Sequence, residues 1–136
     1  MKRLLLALGG LALAGSLASC SQAANADTDT RTVDVTIHYS HFQPDRFEFP
    51  AGTTVTFVIH NTDPIDHEFI LGPQWVQDYI ENTAHPAHDG SVPGQITVPA
   101  GETRSTTYTL VRSVPFACHI AGHYAYGMRG SVTVTG

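Results

Sequence analysis

With 136 residues, 42 % of them hydrophobic and a formal net charge of −5, the chain has the size of one domain with a genuine core, and no second domain is expected. Lys2 is the sole lysine and acidic residues outnumber basic ones 12 to 7, so the positive stripe that a nucleic-acid partner requires is missing. An acidic surface favours a basic protein partner, although solubility alone would also account for it.

The chain opens with Lys2 and Arg3, runs through an apolar stretch from Leu4 to Leu17, and reaches Leu17-Ala18-Ser19-Cys20 before turning polar. That order marks residues 1–19 as an export signal. A membrane-spanning helix fits less well, because the run carries Gly9, Gly10, Gly15 and Ser16 and falls short of the ~20 residues a bilayer crossing needs. Leu-Ala-Ser-Cys resembles the lipobox of bacterial lipoproteins, which implies a lipidated Cys20 anchoring the chain to a membrane. The alternative is cleavage near Ala18 or Ala23 and a soluble secreted protein. Loss of the signal leaves 5 basic against 12 acidic residues, a formal charge of −7. Residues 20–31 are polar and read as a flexible linker between lipid and domain.

From Thr32 to Gly136 the sequence predicts strands. Val33, Val35, Ile37 and Tyr39 alternate with polar residues, and Val55, Phe57 and Ile59 repeat the pattern. Ile96 with Val98, Thr106 to Leu110, Phe116 with Cys118, and Val132 with Val134 extend it. Period two means half-buried strands, and Pro50-Ala51-Gly52 and Pro99-Ala100-Gly101 are turn signals between them. About seven short strands, each with one apolar face to bury, fit an antiparallel two-sheet sandwich. Trp75 to Thr83 is the exception: Trp75 with Tyr79 and Val76 with Ile80 are at helical spacing, so one short helix is expected there.

Near the C-terminus stands Cys118-His-Ile-Ala-Gly-His123-Tyr-Ala-Tyr-Gly-Met128, a loop between two predicted strands. Beyond the signal and Cys20, Cys118 is the remaining cysteine and Met128 the remaining methionine. A disulfide from Cys118 to Cys20 would need the linker to be held in place, and nothing in its composition does so. A lone thiol in an oxidising compartment usually has a chemical task. Thiolate, imidazole and thioether together suit copper, because Cu(I) favours soft sulfur and Cu(II) favours nitrogen. Two imidazoles and a thiolate near a trigonal plane, with a long methionine contact, serve both oxidation states without much rearrangement. A catalytic metal keeps a position for water, whereas four side chains close the shell. His67, at the start of a predicted strand after the turn Asn61 to Asp66, is the best candidate for the second imidazole.

Phe42-x-Pro44, Pro50-Ala51-Gly52, Asn61-Thr62, His67-Glu68-Phe69 and the Cys-x4-His-x4-Met loop follow the order found in the cupredoxins, and the chain resembles that blue-copper family over about residues 32–135. The resemblance implies an all-β Greek-key sandwich with one type 1 copper held by His67, Cys118, His123 and, axially, Met128. Where many cupredoxins place an asparagine that ties the ligand loops together, His67 is flanked here by Asp66 and Glu68, which leaves the bonding around the ligands open. The loop also looks like the Cys-His-Ile-x-x-His-x-x-x-Gly-Met stretch of multicopper oxidases. Ala117 stands in place of the histidine that would precede the cysteine, and the chain has no His-x-His pair, so a trinuclear cluster is not expected.

The other histidines are weighed singly. His38 and His60 fall on the polar parity of their strands, and His119 alternates away from Cys118. His41 is ambiguous. His85 and His88 are three apart and could grip a second metal, but Pro86 and the want of a third ligand favour a solvated loop. The resulting expectation is a monomeric one-electron carrier, not an enzyme, on the outer face of a membrane. Its partners would be redox proteins of the envelope, of cytochrome or oxidase type. Family resemblance implies that His123 lies at the surface within a small apolar patch of Ile120, Ala121, Tyr124 and Ala125. The rival reading is copper delivery, storage or tolerance. Cysteine-dependent hydrolysis fails because no carboxylate is placed to orient His123.

Overall fold

The computed structural model describes residues 29–136, and the signal, most of the linker and Cys20 lie outside the described residues. In chain order the elements are strands β1 (Thr30–His38), β2 (His41–Gln43), β3 (Arg46–Pro50), β4 (Thr54–Asn61) and β5 (His67–Leu71), helix α1 (Gln74–Glu81), then β6 (Gln95–Val98), β7 (Thr103–Thr109), β8 (Val114–Ala117) and β9 (Arg129–Thr135). One sheet runs β2-β1-β4-β7 and the other β3-β9-β8-β5-β6. The sandwich with one short helix is as the sequence predicts. The first strand takes in Thr30 and Arg31, which pair with Thr54 and Val55.

The sheets are mixed rather than antiparallel throughout. β1 runs parallel to β4 and β3 parallel to β9, while the remaining pairs are antiparallel. After the β1–β2 hairpin the chain crosses to the other sheet as β3 and returns as β4 alongside β1. Period-two alternation reports which face a residue occupies and carries no information on strand direction.

Val35 and Ile37 of β1 and Val55, Phe57 and Ile59 of β4 bury one parity against Phe69, Leu71, Ile96, Val98, Phe116 and Val132 of the facing sheet. Phe69 is central: its ring lies 5.2 Å from Phe57, 4.9 Å from Phe116 and 5.8 Å, edge-on, from Phe42. Tyr39 leaves the pattern. It and Ser40 adopt left-handed backbone conformations (φ 50° and 56°) in a turn, and Tyr39 is 78 % exposed.

β5 is buried on both faces. Phe69 and Leu71 face the core, while Glu68 and Ile70 lie under a cover made by α1 and the segment that follows it. Gln77, wholly buried on α1, donates from Nε2 to the carbonyls of Ile70 and Gly72, joining helix to strand. Trp75 and Tyr79, paired at helical spacing, point outward at 70 % and 64 % exposure, because Gln77 and Ile80 form the buried side.

Candidate metal centre

His67 begins β5 because the turn before it is fastened at both ends. Asn61, the last residue of β4, donates from Nδ2 to the carbonyls of Ile65, Val98 and Pro99, and its Oδ1 accepts the Asp63 N–H at 3.0 Å. Asp63 thereby reaches three donors: the N–H groups of Tyr39 and Ser40, both at 2.7 Å, and Nε2 of His67 at 2.9 Å. Burial pushes the Asp63 carboxyl up, but those three hydrogen bonds outweigh it and hold the group below the usual carboxylate range. With Nε2 committed to Asp63, His67 turns Nδ1 toward Cys118. A carboxylate behind an imidazole is a recurrent way of orienting a metal ligand.

Cys118 follows β8 and Met128 precedes β9, so the loop between them sits at the end of the sheet where β5 starts. The Cys118 N–H donates to the Met128 carbonyl, and the Met128 N–H donates to the His123 carbonyl, which closes the loop into a tight knot. Two bends need left-handed backbone, at Gly122 (φ 89°) and Gly127 (φ 95°), and only glycine takes these without strain.

These elements bring together Nδ1 of His67, Sγ of Cys118 and Nδ1 of His123, all within 4.8 Å of one another. Sγ lies 3.9 Å from His67 Nδ1 and 3.3 Å from His123 Nδ1. Metal–nitrogen and metal–sulfur bonds of about 2.1 and 2.3 Å in a trigonal plane place such atoms about 3.8 Å apart, so the donor set fits a single ion. Met128 is 2 % exposed and belongs to the same buried cluster as Cys118. His67 is fully buried and His123 half-buried, so His123 is the imidazole nearer the surface.

Burial raises the Cys118 thiol to about 11, against the smaller opposing effect of N–H donors from Glu68 and Ile120. Burial, and then proximity to His67, push His123 down, keeping its ring neutral and able to donate a lone pair. A hard-to-ionise thiol between imidazoles is a poor nucleophile but becomes a good ligand once a cation displaces its proton.

The link between ligand loops, left open by the missing asparagine, is made by Glu68. Its backbone N–H donates to Cys118 Sγ at 3.3 Å, and its side-chain Oε2 accepts the His119 N–H at 3.3 Å. His119 points away from Cys118, as its parity requires. It is buried, with its ring nitrogens 2.8 Å from both Glu81 Oε2 and Gln77 Oε1, and it stacks on Tyr124. Tyr124 is thus held by His119, by Gln74 at its hydroxyl and by Arg129 over its ring, and is less available to a partner than the expected apolar patch implies. Ala121 and Ala125 are exposed, and Tyr126 is 89 % exposed.

His38, His41 and His60 sit on the surface sheet with partners of their own: Thr62, the Tyr39 carbonyl, and Asp34 with Thr103. His85 and His88 depart from the solvated loop expected of them. Their side chains are 21 % and 15 % exposed, and both face the buried carboxylate of Glu68. Asp63 and Glu68 are the site residues that sequence reasoning missed. The acidic pair around His67 was the available signal for Glu68, while Asp63 had none beyond its place in the turn.

A family model described as a cupredoxin-like domain matches residues 10–85, a stretch that includes His67 and ends ahead of Cys118. Among curated proteins, the copper-resistant cuproprotein CopI of Rubrivivax gelatinosus is 36 % identical over 109 residues, covering 76 % of this chain and 66 % of that protein. The chain therefore spans just under two thirds of that relative. The protein of the same name from Pseudomonas aeruginosa is 29 % identical over 147 residues, covering 84 % of this chain and 80 % of the relative. Among solved structures, auracyanin B superposes with a TM-score of 0.63 at 26 % identity, covering 78 % of this chain and 89 % of that one.

Proposed function

This chain belongs to the cupredoxin-like family, and from that premise we propose that it is a type 1 copper protein. Copper would be held by His67, Cys118, His123 and Met128, and the protein would carry single electrons in the cell envelope, tethered through Cys20. The observation that carries this reading is the buried thiol of Cys118 set between two imidazole nitrogens at 3.9 and 3.3 Å. When bound there, copper supplies a centre that changes between Cu(II) and Cu(I) with little movement of its ligands.

The chain's own residues do the rest. Asp63 fixes the ring of His67, Glu68 holds Cys118 through its N–H, and the two glycine bends hold His123 and Met128 in one loop. Ordered partners of this kind keep a ligand set from relaxing toward either oxidation state. His123, half-buried where His67 is wholly buried, gives an electron its shortest way to the surface.

A second reading, copper tolerance or delivery, is favoured by the names of the two CopI relatives. Absorption and electron paramagnetic resonance spectra of the copper-loaded, oxidised protein, with Cys118→Ala as control, test the centre. An intense visible thiolate-to-copper band, absent from the variant, is expected. A colourless copper-bound protein would sink the assignment. The roles separate on retention: a carrier keeps copper through cycles of reduction and oxidation, while a delivery protein yields it to an acceptor on reduction.

A further inference from the structure

Side chains alternate along β5, so His67 points into the sandwich and Glu68 to the outer face. On that face the segment after α1 folds back and presents two imidazoles to Glu68. His85 Nδ1 lies 3.7 Å, and His88 Nε2 3.9 Å, from Glu68 Oε1, and the three donor atoms lie within 4.8 Å of one another. We propose that Glu68, His85 and His88 form a second metal site, for a borderline divalent cation such as Cu(II) or Zn(II), separate from the His67–Cys118–His123 centre.

Three observations support it. The contacts are too long for hydrogen bonds, yet atoms that each bond one ion at about 2.1 Å in a trigonal or tetrahedral array lie about 3.4 to 3.6 Å apart. A shift of a few tenths of an ångström would bring each imidazole to that distance from the carboxylate, with His85 Nδ1 leaving the Pro86 carbonyl that it meets at 3.3 Å. His88 Nε2 is also buried without any hydrogen-bond partner among the described residues, and a buried polar atom of that kind is costly unless something binds it. Finally, the carboxylate is 5 % exposed, and a charge so enclosed is ordinarily paired or bound to a metal. Its other oxygen, on the His119 N–H, holds it in place.

Two imidazoles and one carboxylate on an ion leave coordination positions open, unlike the enclosed centre on the other side of the strand. The rings of His85 and His88 line a groove with Trp75, Tyr79 and Val92 that opens to solvent, so an ion can enter and leave. The donor types suit Cu(II) and Zn(II), with Cu(II) ahead in the general order of affinity, and they offer no soft sulfur to retain Cu(I). Reduction would therefore empty this site and leave the thiolate site filled.

The test is metal content and spectrum. Protein equilibrated with excess Cu(II) and desalted should retain two equivalents, with a second, non-blue component in its paramagnetic resonance spectrum. His85→Ala/His88→Ala should retain one equivalent and lose that component alone. Glu68→Gln keeps an acceptor for the His119 N–H and should weaken the second equivalent at least tenfold in competition with a chelator. Equal copper retention by the unaltered protein and the double variant would overturn the proposal. Because the readout is the difference between these two proteins, it holds even if the blue band never appears.

Discussion

Replacing Asp63 by alanine tests whether the geometry of His67 is set from behind. The carboxylate accepts from the N–H groups of Tyr39 and Ser40 and from His67 Nε2, and its side chain is 7 % exposed. A buried donor left without an acceptor costs about 1–3 kcal/mol. The two backbone donors lie in a surface turn that water can reach, so each belongs at the low end, whereas His67 is fully buried and belongs at the high end. Tyr39 and Ser40 are also held in left-handed conformations that non-glycine residues adopt at a cost. The sum is a loss of about 3–5 kcal/mol for the apo-protein. Freeing the His67 ring should weaken metal binding about 10- to 100-fold as well. Denaturant unfolding of the apo-protein and competitive copper titration measure the two effects. Asp66→Asn is the control, since the exposed Asp66 carboxylate accepts the Ala100 N–H and its change should cost under about 1 kcal/mol. The folded-state value of Asp63 is depressed, so its stabilisation is present above about pH 4 and fades as pH falls through the folded-state value. The gap between wild type and Asp63→Ala should narrow in acid. A variant that stays within 0.5 kcal/mol and threefold of wild type at neutral pH would refute the reasoning.

The pH dependence of copper affinity should show the Cys118 proton. With the thiol raised to about 11, every metal bound at pH 6–8 displaces that proton, so Cys118 contributes a tenfold rise in affinity per pH unit, about 100-fold across the window; a flat profile in chelator competition would contradict it. Phe69→Ala removes the ring at the centre of the aromatic cluster and should cost about 3–5 kcal/mol in denaturant unfolding. A loss under 1 kcal/mol would show that the core collapses to fill the gap. For docking, Ala121→Asp/Ala125→Asp places charge beside His123 and should slow electron exchange with a redox partner in stopped-flow mixing, with the visible spectrum unchanged. Unaltered rates would move the contact away from this loop.

The strand faces were legible because a half-buried strand writes its burial into alternate residues: β4 follows that alternation from Thr54 to Asn61 without a break. Strand direction was not, since β1 beside β4 in parallel reads the same as an antiparallel pair. Tyr39 misled for a related reason. An aromatic on the apolar parity looks like one more core residue, yet the chain turns there because Asp63, 24 residues further on, captures the backbone N–H. β5 carried no alternation at all, because it is covered on both faces, and His67-Glu68-Phe69 therefore gave no warning that the carboxylate is as enclosed as the phenylalanine.

Cys118 and His123, two of the three converging donors, were legible for a different reason. Cys118, His123 and Met128 share one loop, and their chemistry names them without any knowledge of packing. The carboxylates that place the ligands depend on contacts across the fold. Glu68 shows why this matters. The position beside His67 has to tie the ligand loops together, and an asparagine amide would do so as a neutral group. Here the backbone N–H of residue 68 makes the bond to Cys118 Sγ, and the side chain enters the outer face of β5 as a carboxylate, where Oε2 takes the His119 N–H. Once there, a carboxylate with 5 % exposure requires cationic company. Among the described residues it meets His119's N–H and two imidazoles that stand too far off to hydrogen-bond. The residue that departs from the family pattern thus ties the ligand loops through its main chain and Oε2, and turns Oε1 to the outer cluster. Glu68→Gln is accordingly the substitution that should separate the two, leaving the inner spectrum in place while the outer cluster loses its ion.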